Sequence, residues 1–264
     1  MIEAYYNLKK RPFPKDIPPH DIFITEAVAE LHQRLAYIKE KRGIMLITGA
    51  PGTGKSAQLC SFVANLSENL YKYFYIPLST VNILDFYRQI CSQLGAEVPY
   101  RKTQLFSSIQ KNIREYVENA KKIPVIIFDE AHLLINENFY ELQIITNFHM
   151  DSVDPAVFIL SGQPHLRDRL LRPIHQSFNQ RICLKFHLCP LTREETKAYI
   201  EHQLHIAGAS VDIFNQNAIS ALYQVSTGVP RVINNLATKA LTIGALDKKD
   251  CLTEEEIYRA SKEL

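Results

Sequence analysis

The sequence predicts an α/β protein: a parallel sheet flanked by helices, followed by a small α-helical subdomain. Three observations carry this expectation. Short, continuous apolar runs recur between segments of helical spacing, as expected of strands covered on both faces. A glycine-rich turn, Gly49 to Gly54, stands between the first of these runs and a helix. After Leu191 the strands stop and only helical spacing remains. The boundary is placed near Pro190, with residues 1–190 as the α/β part carrying an extended N-terminal arm and 191–264 as the helical part.

Taken in order, the opening is punctuated by Pro12, Pro14, Pro18 and Pro19, which excludes a regular helix or a central strand and suggests an arm lying over the domain. Thr25 to Glu40 places Val28, Leu31, Leu35 and Ile38 on one helical face, with Thr25 placed to cap it. Gly43 to Thr48 reads as a buried strand, Gly54-Lys55-Ser56 opens the next helix, Tyr73 to Pro77 is a strand and Leu84 to Leu94 a helix. Leu105 to Ala120 is a helix with Phe106, Ile109, Ile113, Tyr116 and Val117 on its apolar face; Val125 to Phe128 and Phe158 to Leu160 are strands. The final part reads as helices over Thr192 to Ala207, Asn215 to Thr227, Arg231 to Leu246 and Thr253 to Glu263. Two of these open on capping boxes, Thr192 to Glu195 and Thr253 to Glu256.

With 264 residues, 46% hydrophobic and 22% charged, the chain can bury a sizeable core, which excludes a disordered tail or a disulfide mini-scaffold. Five cysteines in no C-x-x-C pair argue against a zinc ribbon and a secreted disulfide framework, and for a reduced, cytoplasmic setting. The start has an early acid and no apolar stretch, unlike a signal peptide, and the apolar runs are too short to span a bilayer, so no membrane association is expected. Net charge is +2, unevenly spread: residues 1–122 carry 17 Lys and Arg against 11 Asp and Glu, the remainder 13 against 17. Any polyanion is expected to meet the first part.

Gly49-Ala50-Pro51-Gly52-Thr53-Gly54-Lys55-Ser56 matches G-x-x-x-x-G-K-[ST] between a strand and a helix. Glycines let such a loop curl so that its amides face one concavity, and the helix N-terminus adds positive potential for phosphate. Lys55 would reach the β- and γ-phosphates and the Ser56 hydroxyl would ligate Mg²⁺. A glycine-rich turn that matches by chance is the alternative. Asp129 and Glu130 follow the buried run Ile126 to Phe128, at a carboxyl end of the sheet where ligands bind. Asp129 would act on the hydrated Mg²⁺ and Glu130 would polarise the attacking water, unless Asp129 merely caps the following turn. His132, in Asp129-Glu130-Ala131-His132, reads as a packing or interface residue rather than a catalytic one.

The order of strands, the Asp129-Glu130 pair and the helical appendix together resemble the AAA+ ATPases, a family that implies ATP and Mg²⁺ as ligands and slow, assembly-coupled hydrolysis of ATP to ADP and phosphate. By this resemblance Gln163, in Ser161-Gly162-Gln163, stands at the polar sensor-1 position, with a simple turn amide as the alternative. Arg181 stands where the family carries an arginine finger, which acts in trans on a neighbouring subunit; a salt-bridged surface arginine is the alternative. Gly228-Val229-Pro230-Arg231 is similar to the sensor-2 motif, with Arg231 directed at the γ-phosphate of its own subunit. Pro12-Phe13-Pro14, Phe23-Ile24-Thr25, Arg42-Gly43-Ile44, Ser161 to Leu166 and Arg231 to Leu236 look like the GspA/ExeA type of these ATPases.

That type divides into secretion-pathway members, which add a membrane span and a periplasmic part, and regulators of DNA transposition of the TnsC, TniB and MuB kind. Because the chain ends after the lid, the resemblance is taken to imply the second: a homo-oligomeric filament or ring on double-stranded DNA, without sequence preference, that recruits a transposase, with a target-selector protein as a further partner. The DNA surface is expected at Arg88 and at Arg101-Lys102-Thr103, where Thr103 would also cap a helix, or would do only that while the basic residues stay solvated. Lys121-Lys122 reads as an exposed turn. The alternative functions are a secretion or envelope-assembly ATPase that works with membrane partners and ignores DNA, and a loader-type switch that binds DNA only with a partner protein.

Overall fold

Five strands form one parallel sheet in the order β2-β3-β4-β1-β5, as the short apolar runs require. They are β1 (Gly43–Gly49), β2 (Tyr71–Pro77), β3 (Ile123–Asp129), β4 (Val157–Gly162) and β5 (Ile182–Leu188). The three central strands are buried almost throughout, whereas β2 and β5 alternate between buried and exposed residues because they are the edges. The computed structural model describes residues 2–77, 82–209 and 212–263. The described chain forms two compact units: Val28–Gly49 with Gln58–Leu188, and Met1–Ala27 with Ala50–Ala57 and Cys189–Leu264.

Twelve helices accompany the sheet among the described residues. The first seven are α1 (Ile2–Tyr5), α2 (Glu26–Lys41), α3 (Lys55–Ala64), α4 (Ile83–Leu94), α5 (Lys102–Glu118), α6 (Asn136–Ile145) and α7 (Pro164–Leu170). Then come α8 (Gln176–Arg181), α9 (Arg193–Ala207), α10 (Gln216–Ser226), α11 (Pro230–Leu246) and α12 (Glu254–Ser261). Helix α2 buries the apolar face read from its spacing, Val28, Leu31, Leu35 and Ile38. The sheet unit's core combines strand residues such as Ile126, Phe128, Phe158 and Leu160 with Phe86, Tyr87, Leu105, Ile109, Ile113 and Phe139 from α4, α5 and α6.

The other unit has its own core, in which Tyr199, Ile200, Leu222, Ile233, Leu236, Leu241 and Ile257 meet. Both expected capping boxes are present, at Thr192 with Glu195 and at Thr253 with Glu256. The proline-punctuated opening, expected to lie over the α/β part, groups instead with these helices. Its apolar residues decide this: Tyr6, Leu8 and Phe13 are buried in the helical core, and the Tyr6 hydroxyl donates to Lys249 O. The N–H groups of Lys9 and Lys10 both bond to Ala207 O at the end of α9. Among the described residues no helix is long and apolar enough to cross a membrane.

Candidate nucleotide site

The glycine loop leaves β1 at Gly49 and enters α3 at Lys55, the strand-to-helix context that the motif requires. Inside it one carbonyl gathers three donors. Ala50 O accepts from Thr53 N–H (3.3 Å), Thr53 Oγ1 (2.9 Å) and Lys55 Nζ (3.0 Å), which closes the loop on itself and buries Thr53 and the stem of Lys55. Gly52 and Gly54 hold φ of +83° and +100°, values that side chains disfavour. Ser56 is exposed in the first turn of α3. Pro51 is exposed at the tip.

The same compact unit brings the start of α11 onto this loop. Arg231 N–H donates to Gly52 O at 3.2 Å, with Val229 as N-cap and Pro230 as the first helical residue. A Cβ on Gly52 would stand 2.8 Å from the Arg231 Cβ and 3.0 Å from Val229 Cγ1, so this glycine is required by the approach of the helix as well as by its φ. Gly228 does the same one step back. A Cβ there would lie 1.9 Å from Leu191 O, and its own carbonyl accepts from Leu191 N–H at 2.8 Å. The Arg231 side chain is exposed.

In the sheet unit, the acidic pair stands at the end of β3. Asp129 is buried, and its two carboxylate oxygens accept from Glu130 N–H (2.9 Å) and from the Tyr75 hydroxyl (3.0 Å) on neighbouring β2. Burial and the adjacent Asp129 carboxylate push the Tyr75 phenol up to about 12, so it remains a donor at neutral pH. Glu130 leaves the strand in the left-handed region (φ 52°, ψ 34°), which turns its half-exposed carboxylate away from the strand direction, toward His132. Gln163 directly follows β4 and forms the N-cap residue of α7 without a side-chain cap bond. Arg181 ends α8 and pairs with Asp151 at 2.6 Å, so in this conformation it is the ion-paired arginine of the alternative reading.

Two of the residues expected to meet DNA, Lys102 and Arg88, are ion-paired within the protein. Lys102 pairs with Glu141 of α6 at 2.6 Å, and Glu141 also accepts from the Tyr87 hydroxyl at 2.8 Å. Arg88 pairs with Asp85 one helical turn back at 3.0 Å. Thr103 does not cap α5. The helix starts at Lys102, three residues before the expected Leu105, so Arg101 takes the N-cap position with extended φ and ψ, without a side-chain bond, and Thr103 already lies in the first turn. Arg101 is exposed. Sequence reasoning missed Tyr75, Asp151 and Glu141, the partners of Asp129, Arg181 and Lys102, because each is joined to its site by chain pairing rather than by a local motif.

A family model described as "AAA domain" matches residues 38–170, half of the chain. The chain belongs to this AAA family. The matched stretch contains the glycine loop, Asp129, Glu130 and Gln163; Arg181 and Arg231 lie beyond it. General secretion pathway protein A of Aeromonas hydrophila is 29% identical over 247 residues, which is 91% of this chain and 44% of that protein, so the chain spans less than half of its relative. Among solved structures, the ORC2 protein of Aeropyrum pernix in its ADPNP-ADP complexes aligns with a TM-score of 0.69 at 19% identity, covering 97% of this chain and 72% of that one. The ORC1 protein of the same organism, solved in complex with DNA, aligns at 0.65 and 16% identity over 98% and 69%. These structural likenesses establish the fold, an AAA sheet with helices following it.

Proposed function

We propose that the protein is an ATP-hydrolysing conformational switch of the GspA kind. One observation carries the reading: the backbone of the glycine loop is hydrogen-bonded to the first turn of lid helix α11, through Gly52 O and Arg231 N–H. Any rearrangement of the loop around a polyphosphate is thereby felt by the lid. The donor set suits that ligand: a lysine on the loop's own carbonyl, an exposed serine at a helix start, and two glycines at positive φ. Lys55 would exchange Ala50 O for phosphate oxygens, with Gly49, Pro51, Gly52, Thr53 and Gly54 shaping the cradle. Ser56, and Asp129 through water, would hold Mg²⁺, which when bound neutralises phosphate charge. Glu130 would orient the attacking water, with Gln163 and Arg231 supporting from the same subunit and Arg181 in trans from a neighbour in an oligomer.

The similarity to General secretion pathway protein A over 91% of the chain supports a role in export or envelope assembly alongside membrane partners. A second reading, assembly on duplex DNA as a transposition regulator with a transposase and a target selector, is supported by exposed Arg101 and by the fold shared with an ORC1 protein solved on DNA. The ion pairs of Lys102 and Arg88 weigh against it.

The test has two parts. Phosphate release should be lost in Lys55→Ala and in Glu130→Gln, the second retaining nucleotide binding; hydrolysis surviving both would refute the ATPase reading. Electron microscopy with a non-hydrolysable ATP analogue, with and without duplex DNA, then separates the contexts. Rings or filaments indifferent to DNA support the GspA-like role, whereas assemblies that form only on DNA transfer the proposal to the transposition regulator.

A further inference from the structure

The structure assigns His132 as a positioning residue for Glu130, a role that rests on the hydrolytic reading of Glu130 above. His132 Nδ1 lies 3.2 Å from Glu130 Oε2, and the imidazole is 8% exposed while the carboxylate is 52% exposed. A nearly buried ring therefore meets a carboxylate that is otherwise half in water. The contact is within ion-pair range without the alignment of a hydrogen bond, as is common for catalytic contacts before ligands tighten them.

What distinguishes His132 from an ordinary packing histidine is how it is held. Its carbonyl accepts from Arg169 Nη1 at 3.0 Å, the other arm of the same guanidinium donates to Leu134 O, and that guanidinium lies over the Phe139 ring at 4.8 Å. Its ring meets His165 edge to face, with centroids 5.1 Å apart and planes at 89°. Gly162, at the end of β4, lets its backbone come close: a Cβ there would stand 3.2 Å from His132 N. Glu130, by contrast, sits at φ 52°, a conformation of about 1–2 kcal/mol for a residue with a side chain. Asp129 Oδ1 fixes its N–H, and Leu133 N–H bonds to its carbonyl.

The backbone of Glu130 is thus set by Asp129 and Leu133, and the remaining freedom is the carboxylate's rotation. His132 is the rigid group whose Nδ1 faces Oε2 at 3.2 Å and so limits that rotation. A general base that must orient one water gains from such restriction, because disorder in the base is disorder in the reacting geometry.

Two variants separate orientation from packing. His132→Phe keeps the ring volume and removes the donor; His132→Asn gives up volume and keeps an amide N–H near the place of Nδ1. Positioning predicts that His132→Phe lowers kcat tenfold or more with KM and equilibrium affinity for ATP within twofold of wild type, and that His132→Asn recovers most of the rate. The opposite order, Phe active and Asn impaired, overturns the assignment in favour of packing. A readout without nucleotide is ¹⁵N NMR of histidine-labelled protein: the signal that His132→Asn removes should report the Nδ1–H tautomer and move in Glu130→Ala, and an unmoved signal overturns the contact. If Glu130→Gln hydrolyses normally, the hydrolytic reading falls and takes this inference with it; if Glu130→Gln is inactive while His132→Phe is not, this inference alone falls.

Discussion

Lys102 offers the sharpest division between a fold role and a DNA role. Its ammonium sits 2.6 Å from Glu141, a residue of α6 whose side chain is 9% exposed, while Lys102 itself is 47% exposed. The pair is extended by the Tyr87 hydroxyl on the other carboxylate oxygen and by the Tyr87 ring, 5.7 Å from the ammonium. Burial and that hydrogen bond push the Tyr87 phenol up, which keeps it a donor. Removing one partner of a fully buried pair costs roughly 3–5 kcal/mol, and an exposed pair is worth under about 1 kcal/mol. With one partner buried and the other half in water, Lys102→Met should cost about 1–2 kcal/mol. For a chain of this size that corresponds to a fall in Tm of about 2–8 °C. Thermal melts followed by circular dichroism would measure it, with Glu141→Gln added to remove the stranded charge. The double variant should regain most of the loss, because what destabilises is the uncompensated carboxylate rather than the missing lysine. A Lys102→Met protein that melts like wild type, with a flattened salt dependence of duplex binding, would refute the argument and make Lys102 a phosphate contact.

Three further outcomes follow from the geometry. Gly228→Ala should cost at least about 2 kcal/mol in a urea melt, since the new Cβ would lie 1.9 Å from Leu191 O and φ is +75°; a loss within the few tenths expected of a surface change would contradict this. Gly54→Ala should differ in kind: its Cβ meets nothing within 4 Å, so stability drops only by the roughly 1–2 kcal/mol of its φ, while affinity for a fluorescent ATP analogue collapses. For Glu256, burial alone would raise the carboxyl, but hydrogen bonds from Lys249 and from the Thr253 N–H and hydroxyl outweigh it and bring the value from 4.5 to about 2. Because the folded value lies below the unfolded one, this stabilisation is complete above about pH 5 and disappears as pH falls from there toward 2. Tm should therefore decline through that window in wild type and decline less in Glu256→Gln.

The elements most legible in the sequence were those whose signal is local. β1, β3 and β4 are unbroken apolar runs because both faces are covered, and α2 shows its buried stripe at strict helical spacing. The capping boxes of α9 and α12 are local pairs of side chain and backbone, readable from four residues each. Helix α6 was not legible: its N-cap is Ile135, with no side-chain cap, and its buried face includes Asn138 and also Glu141, whose carboxylate is held by Tyr87 and Lys102. Thr103 misled for a related reason. A threonine before an apolar run looks like a cap, but α5 begins without one, at Lys102, where the ion pair to Glu141 contributes in its place. The glycine loop and the Asp129-Glu130 pair were legible because their chemistry is written in consecutive residues. Asp151 and Tyr75 were not, since their roles arise from pairing across the fold.

The glycine loop and the acidic pair are held by different means, and this determines how each can fail. The loop's junction to α11 is held through backbone atoms, Gly52 O and the Arg231 N–H, while inside the loop Ala50 O takes the Thr53 N–H and hydroxyl and the Lys55 ammonium. Replacing the Arg231 side chain leaves its N–H in place, so Arg231→Ala should spare the junction between loop and lid and affect only what the guanidinium itself touches. Gly52 has no such latitude, because any side chain enters the space of Arg231 Cβ and Val229 Cγ1. The acidic pair is held through side chains: Tyr75 on Asp129, His132 beside Glu130. There, single substitutions can retune orientation without unseating the strand, whose burial is independent of them. The switch proposed above would be well served by that division, which keeps loop and helix α11 in register while the acidic side chains are adjusted. It follows that variants altered at Tyr75 or His132 should change turnover at constant nucleotide affinity, whereas variants at Gly52 or Gly228 should lose affinity and stability together.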